Sequence, residues 1–564
     1  MEKTVYIKDY ISLPCSDAAE GIRKAFEKAL EIGASRVEFE AGTYPLKTFV
    51  EAETDQTGHD AGAEPQPVKE VHILMKNFQN ICVSGKTDQN GNPATVLTGL
   101  NTGELHELLP SILWVDGGKN ITIENLKFKR DPEFASAGRV ETVINDTITL
   151  RVFDGNPCYD NMGTYCLNKF TPDGSALSGE SLSYGFGLPE PFRLIGDRLL
   201  SLKDAHVASM VKENDIISFH QGAKTDFQCF FGNITDLHLK NLWTSNSNGF
   251  AHIAFHIHNL TVENVKFKPE GNQYFTAPRD AFKLHKCSGK IRISHMYVEG
   301  VRMDGQNMHS NFFYPLTVVS HDTVRFFTAY SYLPIQNGTN IEFYFAGVPE
   351  KKVAKIKHVV HDGTTMHRGI FGQIFTVTFE KPLPYTIDKD TLCLAACWEP
   401  DLYECSDSVF KNIAGAGHLS RIDHMRISNC TYQNLMNSGI LLGAELPTHM
   451  EGGHATDVII SDCIFDNCGN TARYNARGCI GIKSSGLPGP NNQNIRIENC
   501  TFQNSNVGID IHDARLVFVK NCKYHNIASE ICIENSTSDE IYIDSDKIVG
   551  ESECIKSPFC VGNT

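Results

Sequence analysis

A chain of 564 residues with 41% hydrophobic and 21% charged residues has ample material for a large core. Its formal net charge of -16, with no basic run to offset it, argues against a nucleic-acid partner. No apolar run approaches the roughly 18 residues of a spanning helix, so no membrane segment is expected.

The first residues, Met1 to Asp9, lack the apolar stretch of a secretory signal, and the chain is expected to be cytoplasmic. After Ser16 or Asp17 as N-cap, Ile22, Ala25, Phe26, Ala29 and Leu30 keep the i, i+3, i+4 rhythm of an amphipathic helix, and Gly33 ends it. Arg36 to Glu40 then alternates as a strand. Such a helix suits the open end of a β-solenoid, which would otherwise expose apolar side chains and strand edges.

A nine-residue unit then recurs at 120–128, 259–267, 424–432, 494–502 and 516–524, with weaker copies starting at Asp236, Lys290, Asp457 and Asp539. Alternating apolar residues lead to Asn125, Asn264, Asn429, Asn499 and Asn521 in turn, and each is followed by another apolar pair. Period-two alternation makes a strand with one buried face, and Asn marks a sharp turn. Stacked copies predict an all-β fold, a right-handed parallel β-helix with the N-terminal helix as its cap.

Two stretches break the repeat and read as small antiparallel β-barrel domains. One, at 136–222, holds a hairpin with an Asn145-Asp146 turn, and the other occupies 315–405. The expected organisation is cap and first coils at 1–135, coils bearing the site at 223–314, and C-terminal coils at 406–564. Insertions of this kind often wall a binding groove.

Eighteen cysteines could signal disulfides, yet Cys430, Cys463, Cys500 and Cys522 recur at one rung position and read as buried thiols. Cys463-x4-Cys468 and Cys393-x3-Cys397 lack a matching second pair, so neither metal nor cofactor is expected. The sequons fall on rung turns and carry no weight in a cytoplasmic chain. No feature constrains the oligomeric state, and a homo-oligomer is compatible with the sequence.

The chemistry concentrates at Asp280 and Asp304, which lie 24 residues apart, about one coil. On neighbouring coils both would face one groove. Glycoside cleavage needs such a pair, one carboxyl protonated for the leaving oxygen and one ionised. Close like charges push the two pKa values apart and help assign the proton. Asn307, Gln306 and His309 would supply the hydrogen bonds that a hydroxyl-rich glycan requires.

Asp280-Ala281-Phe282, Cys287-Ser288-Gly289-Lys290-Ile291 and Asp304-Gly305-Gln306-Asn307-Met308-His309 resemble the core motifs of family 110 of the glycoside hydrolases. Those motifs run roughly D-A-x-H-F, C-x-G-K-I and D-D-x-x-N-V-H. Weaker similarity covers Ser136 to Val140 and Glu451-Gly452-Gly453, the latter against a W-x-E-S-G segment. The resemblance implies a β-helix with two inserted barrels and an inverting exo-α-galactosidase acting on terminal galactose. By position, Asp280 resembles the general acid, Asp304 one of two adjacent acidic residues associated with the base, and Glu451 a further acid. The chain departs from the pattern at Met303, where the first of two paired aspartates would stand. It departs again at Lys283, in place of a histidine, and at His449, in place of the Trp. Lys283 would suit an acidic sugar or a different hydroxyl pattern, and Lys283 and Arg302 would supply the base a lyase or epimerase on uronates needs.

Other groups compete for attention. Asp510, His512, Asp513 and Arg515 form a late polar cluster that reads first as solenoid surface. Trp243 could be a sugar platform, and Trp398 reads as core packing. Three functional classes fit: a glycoside hydrolase, a lyase or epimerase on uronates, and a non-catalytic carbohydrate-binding β-helix.

Overall fold

The computed structural model describes residues 3–548 apart from 54–67, 102–108, 184–186, 223–224, 330–334, 346–347, 368, 389, 447–449, 472–476, 488, 535–537 and 545.

The repeat turns on backbone geometry. Asn125, Asn264, Asn429, Asn499 and Asn521 all adopt left-handed φ values of 53–59°, a conformation that Asn tolerates because its short side chain can bond locally. Their amides bond from rung to rung: Asn264 Nδ2 donates to Asn241 Oδ1 and Asn241 Nδ2 to Asn125 Oδ1, both at 2.8 Å. Residues flanking each turn alternate, so one set points inward and stacks on the next coil. Phe410, Tyr432, Phe465, Phe502 and Tyr524 form such a column, with ring centroids 4.8–5.2 Å apart, close to the spacing of adjacent strands. Cys430, Cys463 and Cys500 lie buried in a parallel column, and all are free thiols.

Stacked coils give one 33-stranded sheet, nearly all of it paired in parallel, which is a parallel β-helix. Helix α1 (Ala19–Ile32) packs Ile22, Ala25, Phe26 and Ala29 onto the first coils. Its N-cap is Ala18 rather than Ser16 or Asp17. The Asp17 carboxylate accepts from Ala19 N at 3.0 Å but also from the amides of Lys47 and Thr48, so it ties the helix to the strand that follows. Gly33 ends the helix at φ 60°. No helix among the described residues is long and apolar enough to cross a membrane.

Two six-stranded antiparallel sheets leave the coil, one between Ala135 and His220 and one between Tyr314 and Ala395. Each curls until its edges meet. Phe192 N donates to the Met162 carbonyl at 2.9 Å in the first, and Phe313 and Cys393 exchange backbone bonds of 2.9 and 2.8 Å in the second. Each encloses its own apolar core.

One face of the solenoid carries the residues singled out above. It comprises β1 (Gly249–Phe255), β2 (Phe282–His285), β3 (Gln306–Asn311), β4 (His418–Arg421) and β5 (Ile440–Leu442). Between β3 and β4 the chain makes the whole second insertion, yet the two strands pair in register as successive rungs.

Candidate active site

Strand parity decides which side chains face out. Leu284 and Met308 enter the core, so Lys283 and His285 on β2, and Asn307 and His309 on β3, point the other way. Register aligns Lys283 with Asn307 and His285 with His309, and then Asn307 with Leu419 and His309 with Arg421 on β4. All four of these outward polar side chains are buried.

Asp280 and Asp304 sit just before β2 and β3 on adjacent rungs, and each carboxylate reaches up to an amide of the next coil. Asp280 Oδ1 accepts from Asp304 N at 3.2 Å, and Asp304 Oδ1 accepts from Ala416 N at 2.7 Å. The second oxygen of Asp280 accepts from Asn307 Nδ2 at 3.1 Å. Both aspartates are buried. Close approach of Gly415 makes room, since a Cβ there would lie 2.5 Å from Asp304 Oδ1.

Electrostatics separates the two. Burial pushes the Asp304 carboxyl well above the ordinary carboxylate range, and the charge of Asp280 adds to this, with the Ala416 N–H and Arg421 opposing it and Glu451 a smaller contribution. Burial leaves Asp280 raised as well, though Lys283, Arg279 and its two hydrogen bonds offset part of that rise. Within the pair, Asp304 is therefore the member with the higher proton affinity.

A third carboxylate arrives from a distance. Strand β6 (Glu451–Gly452) pairs antiparallel with the end of β3, with Asn311 opposite Glu451. Arg421 Nη2 lies 2.9 Å from Glu451 Oε2 and 2.6 Å from Glu445, whose carboxylate also lies 3.6 Å from Lys483. His309 Nδ1–H donates to the Ser310 carbonyl at 2.8 Å, because a carbonyl can only accept. That leaves Nε2 facing Glu451 Oε1 at 3.3 Å. Burial and the nearby Lys283 and Arg421 hold His309 well below the usual histidine range, so this contact joins a neutral ring to a carboxyl. His285 is likewise kept neutral by burial. Lys286, buried with its Nζ 4.7 Å over the Trp398 ring, falls to about 7 through burial and the charge of Lys283.

The structure thus gathers Asp280, Asp304, Glu451, Lys283, Asn307 and His309 on one face. Gln306 has the opposite parity and lies inside the coil, where Tyr403 Oη donates to its Oε1. Arg302 precedes the turn and faces the first insertion. Its guanidinium lies 5.3 Å from the Phe170 ring centroid and 4.6 Å from that of Phe275, and it donates to the Tyr274 carbonyl at 2.7 Å. His449 lies outside the described residues. Asp510 occupies the same outward column as Asn307 but four rungs on, through Leu419, Leu441 and Gly481. There it bonds to His512, Asp513 is enclosed by Asn491 and Ser485, and Arg515 pairs with Glu540. Trp398 is core in the second insertion, 1% exposed.

Sequence reading missed Arg421, Glu445, Lys483, Lys286 and His285. A signal for Arg421 existed: His418-Leu-Ser-Arg421 has the parity of Gln306-Asn-Met-His309, once the insertion is skipped. Among the described residues no group of three or more His, Cys, Asp or Glu has a metal-binding arrangement.

No protein-family description matches the chain, and no curated protein sequence matches it. Among solved structures, it is similar to the A-module of a mannuronan C-5 epimerase from Azotobacter vinelandii, at 10% identity and TM-score 0.39 over 94% of this chain and 98% of that one. It is similar to a hyperthermoactive exopolygalacturonase from Thermotoga maritima, at 9% identity and TM-score 0.40 over 97% and 93%. An alginate lyase from a Paenibacillus species gives 9% identity and TM-score 0.30 over 93% and 97%.

Proposed function

We propose that this chain is a glycoside hydrolase that removes the terminal sugar of an oligosaccharide with inversion. The observation that carries this reading is the buried carboxyl pair on adjacent rungs, Asp280 bonded to Asp304 N and Asp304 to Ala416 N, in which the greater rise in proton affinity assigns the shared proton to Asp304. Asp304 donates that proton to the departing glycosidic oxygen. Glu451, clamped by Arg421, takes a proton from the attacking water. Asp280, with both oxygens hydrogen-bonded by the protein, orients Asp304 and keeps its proton affinity high. This reverses the acid role that the resemblance implies for Asp280, because two cations face Asp280 and a carboxylate faces Asp304.

The sugar is galactose or a galactose-related residue by that same resemblance. Lys283 and Arg279 beside Asp280 favour a form carrying a carboxylate. Glu451, brought in by β6 against the end of β3, closes that end of the face, which suits a chain end over an internal unit.

The test is a screen of α- and β-galactosides and galacturonides for released monosaccharide, followed by NMR of the first-formed anomer. Asp280→Asn and Asp304→Asn are each expected to lower turnover by about a hundredfold or more. Wild-type rates in either variant would sink the assignment. A retained anomer would mean that Asp280 attacks directly, since one rung, about 4.8 Å, is near the carboxyl separation of retaining enzymes.

One observation favours a second reading, a lyase or epimerase on uronates. The Lys286 amine, lowered to about 7, could act as a base on an acidic sugar. An unsaturated product absorbing in the ultraviolet would identify it, and tight binding without turnover would point to a non-catalytic binder.

A further inference from the structure

A second groove lies on another face of the coil. There Lys127, Trp243, Lys266 and Tyr297 form one outward column on successive rungs, each paired in register with the next. Trp243, Lys266 and Tyr297, with Asn92, Lys268 and Glu270, line a cavity of about 530 Å³, within the range of small-ligand sites. The two aromatic rings are two rungs apart, roughly 10 Å, with a lysine between them.

The rings are held in place rather than loosely exposed. Trp243 Nε1 donates to the Lys268 carbonyl at 2.9 Å, and Lys127 Nζ lies 3.9 Å over the indole while pairing with Glu270. Lys268 Nζ lies 5.2 Å over the Tyr297 ring. Lys266 Nζ donates to Asn92 Oδ1 at 3.1 Å. Among the described residues neither Lys266 nor Lys268 has a carboxylate partner, although the chain as a whole carries a charge of -16. Three lysines, Lys127, Lys266 and Lys268, outnumber the one lining carboxylate, Glu270, which pairs with Lys127, and Asp88 lies near Lys266. A net cationic groove on an acidic protein suits an anionic ligand, and spaced aromatic faces suit sugar rings.

We propose that this groove is a non-catalytic binding site for an acidic oligosaccharide. One sugar stacks on Trp243 and another on Tyr297, and a carboxylate or sulfate between them meets Lys266 and Lys268. The rung of Tyr297 runs on directly to Asp304, so a chain held here is anchored on the same coils as the candidate active site. The proposal stands apart from the hydrolase reading, because none of its residues belongs to the carboxylate site.

Calorimetric titration of the full chain with a galacturonate trisaccharide, a mannuronate trisaccharide, a sulfated disaccharide and a neutral galactose trisaccharide tests it. At least one acidic probe is expected to bind, more tightly than the neutral one, and to weaken as salt rises. Trp243→Ala and, separately, Lys266→Glu should each weaken that binding about tenfold or more. Asp280→Asn and Lys283→Ala should leave it unchanged. Lys266→Glu alters a half-exposed side chain, so it decides the matter should Trp243→Ala fail to fold. Tryptophan emission gives a second readout, because Trp114 and Trp398 are 0% and 1% exposed and Trp243 alone of the three tryptophans lines the groove. Binding that survives Lys266→Glu, that is lost in Lys283→Ala, or that no acidic probe shows would overturn the proposal.

Discussion

Replacing Asp280 by Asn removes a negative charge one rung below the Asp304 carboxyl while keeping an acceptor for Asp304 N–H. Two unit charges about 4.8 Å apart, at an effective dielectric of about 20, interact by roughly 3.5 kcal/mol. That is about 2.5 pKa units. The sign follows from like-charge repulsion: losing the Asp280 charge favours ionised Asp304, so the Asp304 pKa falls. The assay is a titration of carboxyl carbon shifts in ¹³C-aspartate-labelled protein, with Asp304→Asn assigning the resonance, and it requires no substrate. The basic limb of the pH–rate profile of any residual activity should move to lower pH by the same amount, since the general acid must be protonated. An Asp304 resonance that titrates alike in both proteins, or at higher pH in the variant, would refute the coupled-pair argument.

Further outcomes follow from the same electrostatics. Because burial raises Asp304 in the folded state, its contribution to stability is fully present below the unfolded value, about 4, and is lost as pH rises through the folded value. Asp304→Asn should therefore melt higher than wild type at pH 7.5, with the gap closing toward pH 4; an equal or lower melting temperature at pH 7.5 would contradict this. Lys286, depressed to about 7, costs stability most below that pH and nothing above about 10, so Lys286→Met should stabilise the chain more at pH 6 than at pH 10 in chemical denaturation. Arg421→Met leaves Glu445 and Glu451 facing each other without their shared cation, and should cost about 3–5 kcal/mol by the same measurement; a loss below about 1 kcal/mol, as for an exposed pair, would show that the carboxylates are solvated. Gly415→Ala places a methyl 2.5 Å from both Asp304 Oδ1 and the Met303 carbonyl, and should abolish activity even where the fold survives, as circular dichroism would report.

Much of the architecture was legible because its cause is local. Alternation needs only nearest neighbours, and a left-handed turn needs only an Asn such as Asn264 or Asn499, so the coils could be read wherever the repeat runs unbroken. The alignment of Asp280 with Asp304 belongs to that class, since no insertion separates them. Gln306 shows where the reading stopped. Its neighbour Asn307 has the same polarity, and only the register of β3 sends one side chain into the coil toward Tyr403 and the other toward Asp280.

By itself, the sequence determined the β-helix, its capping helix, the two places where the chain leaves the coil, and the rung-to-rung pairing of two aspartates. Tertiary structure alone decided which charges surround that pair. Ala416 caps Asp304 from 112 positions away, and Arg421 and Glu451 arrive only after the second insertion has returned the chain to the coil. Proton affinity depends on burial and on the sum of nearby charges, and neither is a property of any short stretch of sequence. The higher proton affinity of Asp304 therefore comes from what the fold stacks above and below it.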